Sequence, residues 1–185
     1  MRIVSGKHKG RPLNAPKGRD TRPTSDRARE AIFNVLEHGI SGPGFGAAAV
    51  LDVFAGTGAL GLEAISRGAS HCTFVEMHSG ARRILNDNIQ TLGETISCVV
   101  LDKKAQSLSE CLTQPVDYAF LDAPYHKNLS VPALNALSDN GWLKDQCVVM
   151  VEIAKDEELL VPPKFIVQKE KNYGAARAVF LIYRA

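Results

Sequence analysis

From Ala49 onward short apolar runs alternate with helical segments, and that alternation leaves the chain very few folds to choose from. Ala49 to Phe54, His71 to Val75, Ser97 to Leu101, Val116 to Leu121 and Cys147 to Ile153 read as strands. Between them Ala59 to Ser66, Ser79 to Leu92, a weaker Ala105 to Leu112 and a stretch within Val131 to Leu137 read as helices. Repeated βαβ units require crossover connections, so they build a mainly parallel sheet with helices on both faces. The chain's end departs from the pattern. Phe165 to Gln168 and Ala176 to Tyr183 flank a turn region, Lys171-Asn172-Tyr173-Gly174, and read as an antiparallel hairpin closing the sheet edge. The expected fold is α/β.

With 185 residues, 45% of them hydrophobic, one sizeable core is affordable and two ordinary domains are not. Gly39, Gly42, Pro43, Gly44 and Gly46 form a breaker cluster that divides a small unit, residues 1–40, from the main domain, residues 47–185. In the small unit Arg22-Pro23-Thr24-Ser25-Asp26 supplies helix-start chemistry. Ala28, Ala31, Ile32, Val35 and Leu36 then give the helix one apolar face. Through residue 29 nine Lys or Arg face two Asp, a balance of +7. The whole chain carries +2, so everything beyond carries −5. The basic residues interleave with Ile3, Val4, Gly6, Gly10, Pro12 and Leu13, which reads as a short hairpin rather than a loose tail. An ordered basic surface is a phosphate platform.

Cys72, Cys98, Cys111 and Cys147 show no C-x-x-C spacing and no companion histidines, so reduced, mostly buried thiols are expected and no metal is assigned. The basic amino terminus lacks the apolar stretch of a signal peptide, and no run approaches the roughly 18 apolar residues of a membrane span. A soluble, cytoplasmic protein is the expectation.

Two strand ends carry chemistry. After the first predicted strand, Asp52-Val53-Phe54-Ala55-Gly56-Thr57-Gly58 runs into Gly56-Thr57-Gly58-Ala59-Leu60-Gly61, a G-x-G-x-x-G turn. Glu76 ends the next strand, where an acid can accept both hydrogen bonds of a ribose diol. That pattern alone fits NAD and S-adenosylmethionine alike. Asp52, four residues before Gly56, would repel a pyrophosphate but suits an amino-acid ammonium, which favours the sulfonium cofactor.

The second end is Asp122-Ala123-Pro124-Tyr125, following Val116 to Leu121. The exocyclic amine of a nucleobase is a poor nucleophile because its lone pair is delocalised into the ring. An acceptor such as the Asp122 carboxylate, with the Ala123 carbonyl, holds the amine protons and aims the nitrogen at an activated methyl. Placement contributes most. Tyr125 is the candidate stacking platform for an extruded base, an interaction worth about 1–3 kcal/mol. Guanine suits a carboxylate best, since its N1–H and N2–H present paired donors.

These residues resemble the RsmD family of bacterial 16S ribosomal RNA guanine-N2 methyltransferases, and the likeness runs almost end to end. It includes Arg2-Ile3-Val4-Ser5-Gly6 with Lys9-Gly10-Arg11, Arg22-Pro23-Thr24-Ser25-Asp26-Arg27-Ala28-Arg29-Glu30, Leu51 to Leu62 and Asn140-Gly141-Trp142-Leu143. The resemblance implies a Rossmann-like class I methyltransferase fold of seven strands with a C-terminal antiparallel hairpin, preceded by a small N-terminal β-hairpin plus helix. It implies S-adenosylmethionine as cofactor and a guanine N2 of 16S ribosomal RNA as target, guanine 966 in the family. The setting would be an assembling small ribosomal subunit, and the enzyme a monomer. The catalytic set is then Asp122, Ala123, Pro124 and Tyr125. The cofactor set is Asp52, Phe54, Ala55, Gly56, Thr57, Gly58, Glu76, Met77, Lys104, Ala105 and Asp122. The RNA contacts are Arg2, Lys7, Lys9, Arg11, Arg22 and Arg27.

The chain departs from the family pattern twice. Ala123 stands where the family usually has the first proline of Asp-Pro-Pro-Tyr or Asp-Pro-Pro-Phe, so a looser but working loop is expected; preceding Pro124, it stays biased towards extended backbone. Lys104 stands where an Asp or Asn would meet the adenine amine, and a lysine cannot accept that bond; Asp102 or a backbone group is the substitute. His78, His126 and Lys127 lie near the two motifs, Trp142 reads as a core anchor, and Lys171, Asn172 and Tyr173 read as a hairpin turn. The rival readings are a DNA or small-molecule amine methyltransferase and a non-catalytic RNA-binding protein with a vestigial cofactor pocket.

Overall fold

The computed structural model describes residues 1–16 and 25–185. Arg22, Pro23 and Thr24, singled out above, lie outside the described residues. Chain order is α1 (Asp26–His38), β1 (Ala49–Val53), α2 (Ala59–Ser66), β2 (His71–Val75), α3 (Ser79–Leu92), β3 (Cys98–Leu101), β4 (Val116–Asp122), α4 (Ser130–Asp139), β5 (Leu143–Ala154), β6 (Phe165–Tyr173) and β7 (Ala176–Tyr183). Ser25 caps α1 by accepting a 3.1 Å hydrogen bond from the Ala28 N–H, and Asp26 adds an acid to the first turn. The α1 face made by Ile32, Phe33, Val35 and Leu36 is buried.

The strands form one sheet in the order β3-β2-β1-β4-β5-β7-β6. Strands β1 to β5 pair in parallel, and β7 runs antiparallel to both β5 and β6. This is the Rossmann-like class I methyltransferase arrangement. Side chains alternate across it and fill two cores. One holds Val50, Phe74, Phe120 and Met150 with residues of α1, α2 and α3; the other holds Leu51, Val75, Leu121 and Val151 with α4. The connection order reverses between β1 and β4, and at such a switch point the crevice outside the strands' carboxyl ends receives ligands.

Three boundaries differ from expectation, each for a tertiary reason. The antiparallel hairpin closes the sheet edge as expected, but its first strand runs on to Tyr173, and β7 lies inside, between β5 and β6, because Ala178 to Tyr183 are buried and need neighbours on both edges. The polar run Gln168 to Asn172 of β6 tolerates the open edge. Consequently Lys171 and Asn172 are paired strand residues, opposite Ala178 and Arg177, and the turn is confined to Gly174 and Ala175. The weak helix at Ala105 to Leu112 shrinks to one 3-10 turn, Ala105–Ser107. Its continuation is claimed by other partners: Asn140 Nδ2 donates to the Leu108 carbonyl and Trp142 Nε1 to that of Ser109. Finally, β5 begins at Leu143, its register with β4 interrupted near Gln146, which has φ 66°.

The first residues are built into the molecule. A single antiparallel bridge joins Arg2 and Pro12, the N–H of Ile3 donates to the Arg11 carbonyl, and Ile3 and Leu13 enter the core. The segment lies against the end of α2. Glu63, fully buried, accepts the N–H groups of Val4 (2.7 Å) and Ser5 (2.9 Å), and the Lys7 N–H meets the Ser66 carbonyl. Gly6 is indispensable there, since it has φ 78° and an added Cβ would sit 1.8 Å from the Ser66 oxygen. Among the described residues no helix is long and apolar enough to cross a membrane.

Candidate active site

The glycine turn follows β1 directly. Phe54 holds a left-handed φ of 62°, Gly56 one of 54° and Gly58 one of 79°, and α2 starts from Gly58. A non-glycine residue in that region stores strain, which marks places where function dictates the backbone. The three glycines have different tasks. A Cβ on Gly58 would come 2.3 Å from Leu85 Cδ1 and one on Gly61 2.4 Å from Phe74 Cε1, so both serve close helix packing. At Gly56 the nearest atom would be 4.0 Å away, the Phe54 carbonyl oxygen, which leaves its face open for a ligand's approach.

Two predicted cofactor carboxylates brace this turn. Glu76, one residue beyond β2 and buried, accepts the Gly56 N–H at 2.9 Å and the His78 N–H at 2.7 Å. Asp52 is 1% exposed and accepts the Gly61 N–H at 2.8 Å through Oδ2. Burial pushes its carboxyl up to about 8, the neighbouring Glu76 charge adds to the rise, and the Gly61 N–H opposes it. Thr57 is fixed from outside the motif: its carbonyl accepts a 3.0 Å bond from Asn88 on α3. Asn88 carried no motif signal in the sequence.

Met77 is an exposed apolar side chain beside Glu76, Ala105 is buried at the 3-10 turn and Lys104 is exposed. Asp102 is engaged by Arg82 at 2.7 Å, and Arg82 also donates to the carbonyls of Glu76 and Met77, so the ends of β2 and β3 are tied together.

Asp122 ends β4. Val53 and Leu121 are register partners, so Phe54 and Asp122 are the next residues out on neighbouring strands, which run about 4.8 Å apart. The glycine turn and the Asp122 loop therefore meet at the switch point. Ala123 is buried, Pro124 exposed and Tyr125 half-buried. Tyr125 donates its hydroxyl to Glu152 Oε1 at 2.6 Å. Glu152, on β5 opposite Asp122, was not anticipated, although a carboxylate inside the apolar run Cys147 to Ile153 was a readable signal. By strand alternation Asp52, Glu76, Asp122 and Glu152 all project to the same sheet face, which gives the crevice an acidic row.

The predicted RNA contacts are not equally available. Arg2 pairs with Asp26 at 3.3 Å, Lys7 with Glu94 at 2.6 Å, and Arg11 donates to the Thr91 carbonyl at 3.0 Å. Lys9 and Arg27 are exposed.

Comparison with known proteins fixes the family. The model of the family described as Conserved hypothetical protein 95 matches residues 1–182. The chain belongs to this family, the RsmD family. Ribosomal RNA small subunit methyltransferase D of Haemophilus influenzae is 37% identical over 94% of the chain and 89% of its own length. The protein of that name from Escherichia coli K12 is 37% identical over 94% and 85%. The solved structure of yhhF from Escherichia coli superposes with a TM-score of 0.85 at 35% identity, covering 100% of this chain and 98% of that one.

The RsmD-family fold implies S-adenosylmethionine, and the donor set here fits it. Its cationic ammonium and sulfonium would favour the Glu76 carboxylate and the ionised form of Asp52, whereas a pyrophosphate would meet Glu76 unfavourably and keep Asp52 protonated. The open face of Gly56 allows close approach.

Proposed function

We propose that this protein methylates the exocyclic N2 amine of a guanine in 16S ribosomal RNA, using S-adenosylmethionine. The reading rests above all on Asp122, which stands at the switch point one strand away from the glycine turn. Family membership and the printed names of the relatives support ribosomal RNA as the substrate class.

In this mechanism Glu76 takes the ribose hydroxyls on the lone pairs left beside its two backbone bonds, and Asp52 offers charge to the amino-acid ammonium. Met77 and the Ala105 region flank the adenine, with Lys104 unable to accept from its amine. When bound, S-adenosylmethionine supplies an electrophilic methyl on a cationic sulfur. Asp122 and the Ala123 carbonyl accept the N–H groups of the guanine edge and direct the N2 lone pair at that methyl. Asp122 or water would take the surplus proton on nitrogen as the N–C bond to that methyl forms and its C–S bond breaks. Tyr125 stacks on the base, offsetting the few kcal/mol spent in unstacking it. Lys9, Arg11, Arg27 and the outer parts of Arg2 and Lys7 face the RNA phosphates.

The test is mass-spectrometric mapping of methylated guanine after incubating the protein with unmodified small subunits, naked 16S RNA and duplex DNA. Methylated guanine N2 in ribosomal RNA, absent with Asp122→Ala, is the expected result. Label only in DNA, or no label in any substrate, overturns the reading.

A further inference from the structure

Glu152 has no part in the chemistry just described, yet it is 5% exposed at the carboxyl end of β5, flanked by Asp122 on β4 and Ala178 on β7. Asp122 shares its sheet face, and the other neighbours there, Met150, Phe120 and Phe180, are apolar. A carboxylate in that setting loses hydration and persists only when hydrogen bonds replace it. The replacement includes the Tyr125 hydroxyl at 2.6 Å, the short distance of a charge-assisted bond. Burial first, and the Glu152 charge second, push the Tyr173 phenol up to about 12.

The bond matters because of where Tyr125 sits. The loop after Asp122 has one proline, Pro124, and Ala123 adds no ring constraint before it. Beyond Tyr125 the backbone turns through two left-handed residues, His126 at φ 56° and Asn128 at φ 52°. An aromatic ring attached only at Cβ swings about χ1; a ring held at Cβ and at its para oxygen turns only about its own long axis. The bond therefore fixes where the ring lies and the direction of its long axis, and so the place where a base would stack.

We infer that Glu152 is a positioning residue, which orients the Tyr125 ring for the incoming base and supplies rigidity that Ala123 does not. The inference deepens the proposed function and rests on it for the identity of the base. Its acceptor role needs an oxygen at the end of a side chain of this length, which glutamine also supplies.

Three variants and two readouts test it. Tyr125→Phe keeps the ring and loses the pin. Its kcat/KM for the RNA should fall about tenfold, the loss expected for one hydrogen bond to a charged group, with cofactor affinity within about twofold of wild type. Glu152→Gln retains an acceptor and should stay within about threefold of wild type. In the double variant Glu152→Gln should add nothing to Tyr125→Phe. The second readout needs no activity: trypsin should cut after exposed Lys127 faster in Tyr125→Phe than in wild type or Glu152→Gln. Wild-type kinetics and proteolysis in Tyr125→Phe, or a further loss from Glu152→Gln when the hydroxyl is already gone, would overturn the positioning role. A wild-type protein that methylates no RNA overturns the proposed function instead. The proteolysis comparison then still decides whether the pin exists.

Discussion

Asn88 ties the cofactor turn to the amino-terminal segment: its Nδ2 donates to Thr57 O at 3.0 Å and to Asn14 O at 3.1 Å, while its Oδ1 accepts the Asn14 N–H at 2.8 Å. The side chain is 1% exposed, so all three bonds replace water. The basic segment proposed to meet RNA and the turn proposed to meet the cofactor thus share one amide. Moving either disturbs the other's partner.

Asn88→Asp keeps an acceptor for Asn14 N–H but turns a carboxylate oxygen toward two carbonyls. Leaving buried carbonyls unpaired costs about 1–3 kcal/mol each, so thermal unfolding should drop by several degrees and cofactor affinity by about tenfold. Asn14→Ala should change neither, because Asn14 contributes only backbone atoms to the bridge. Calorimetry and a thermal melt check both. An Asn14→Ala protein as impaired as Asn88→Asp would mean that the bridge is not what carries the effect.

Asp52 gives a signed pH dependence. Its folded value of about 8 lies above the ordinary 3.8, so between them the folded protein holds a proton that the unfolded chain releases. Stability from this group is therefore present at low pH and declines as pH rises toward and through 8, with a limiting slope of about 1.4 kcal/mol per pH unit. Asp52→Asn, which can still accept from Gly61, should flatten the decline in denaturant unfolding between pH 5 and pH 9. It should also weaken the cofactor. In wild type an arriving ammonium favours the ionised form, so cofactor binding near pH 7 should release a proton, visible as a buffer-dependent heat that Asp52→Asn abolishes.

The glycines separate folding from binding. Gly61→Ala drives a methyl against Phe74 and Cys72, and overpacking of that kind costs about 1–3 kcal/mol. Gly56→Ala meets no protein atom closer than 4.0 Å but must hold φ 54°, a left-handed cost of about 1–2 kcal/mol, and its methyl points into the ligand's approach. Gly56→Ala should lose cofactor binding out of proportion to its melting shift; Gly61→Ala should lose both together. Equal binding losses per degree of destabilisation would remove Gly56 from the cofactor surface.

Much of this was legible because local signals and tertiary demands agreed. Helices α2 and α3 and strand β2 fall where the alternation of apolar runs and helical segments puts them, and the mainly parallel sheet followed from the repeated βαβ units. Failures came where a long-range partner outbid the local pattern. Leu108 and Ser109 give their carbonyls to Asn140 and Trp142, so a plausible helix never forms. Interior placement of β7 depends on a burial demand that no window of sequence contains. In the site, Asp52, Glu76 and Asp122 announced themselves by ending strands. Asn88 did not, since a polar residue on a helix usually means solvent; only the packing of α3 against the arm makes it a bridge.

Internal pairing also sharpens which cations should meet RNA. Each phosphate contact removed should lower the log–log salt slope of binding by about 0.7 to 0.9. Lys7 sits 2.6 Å from Glu94, and its approach to a phosphate would leave that buried acid with less compensation; the Glu94 carboxyl, which burial would raise, is held low by Lys7 and His8 together. Lys9 is exposed on the same segment. Lys9→Ala should therefore flatten the slope by nearly the full step, while Lys7→Ala should flatten it less and destabilise the fold more. Filter binding across a salt series and a thermal melt separate the two variants. Equal slopes for Lys9→Ala and wild type would take this face of the segment out of the RNA contact, and a full step for Lys7→Ala would show that the Glu94 pair opens on binding.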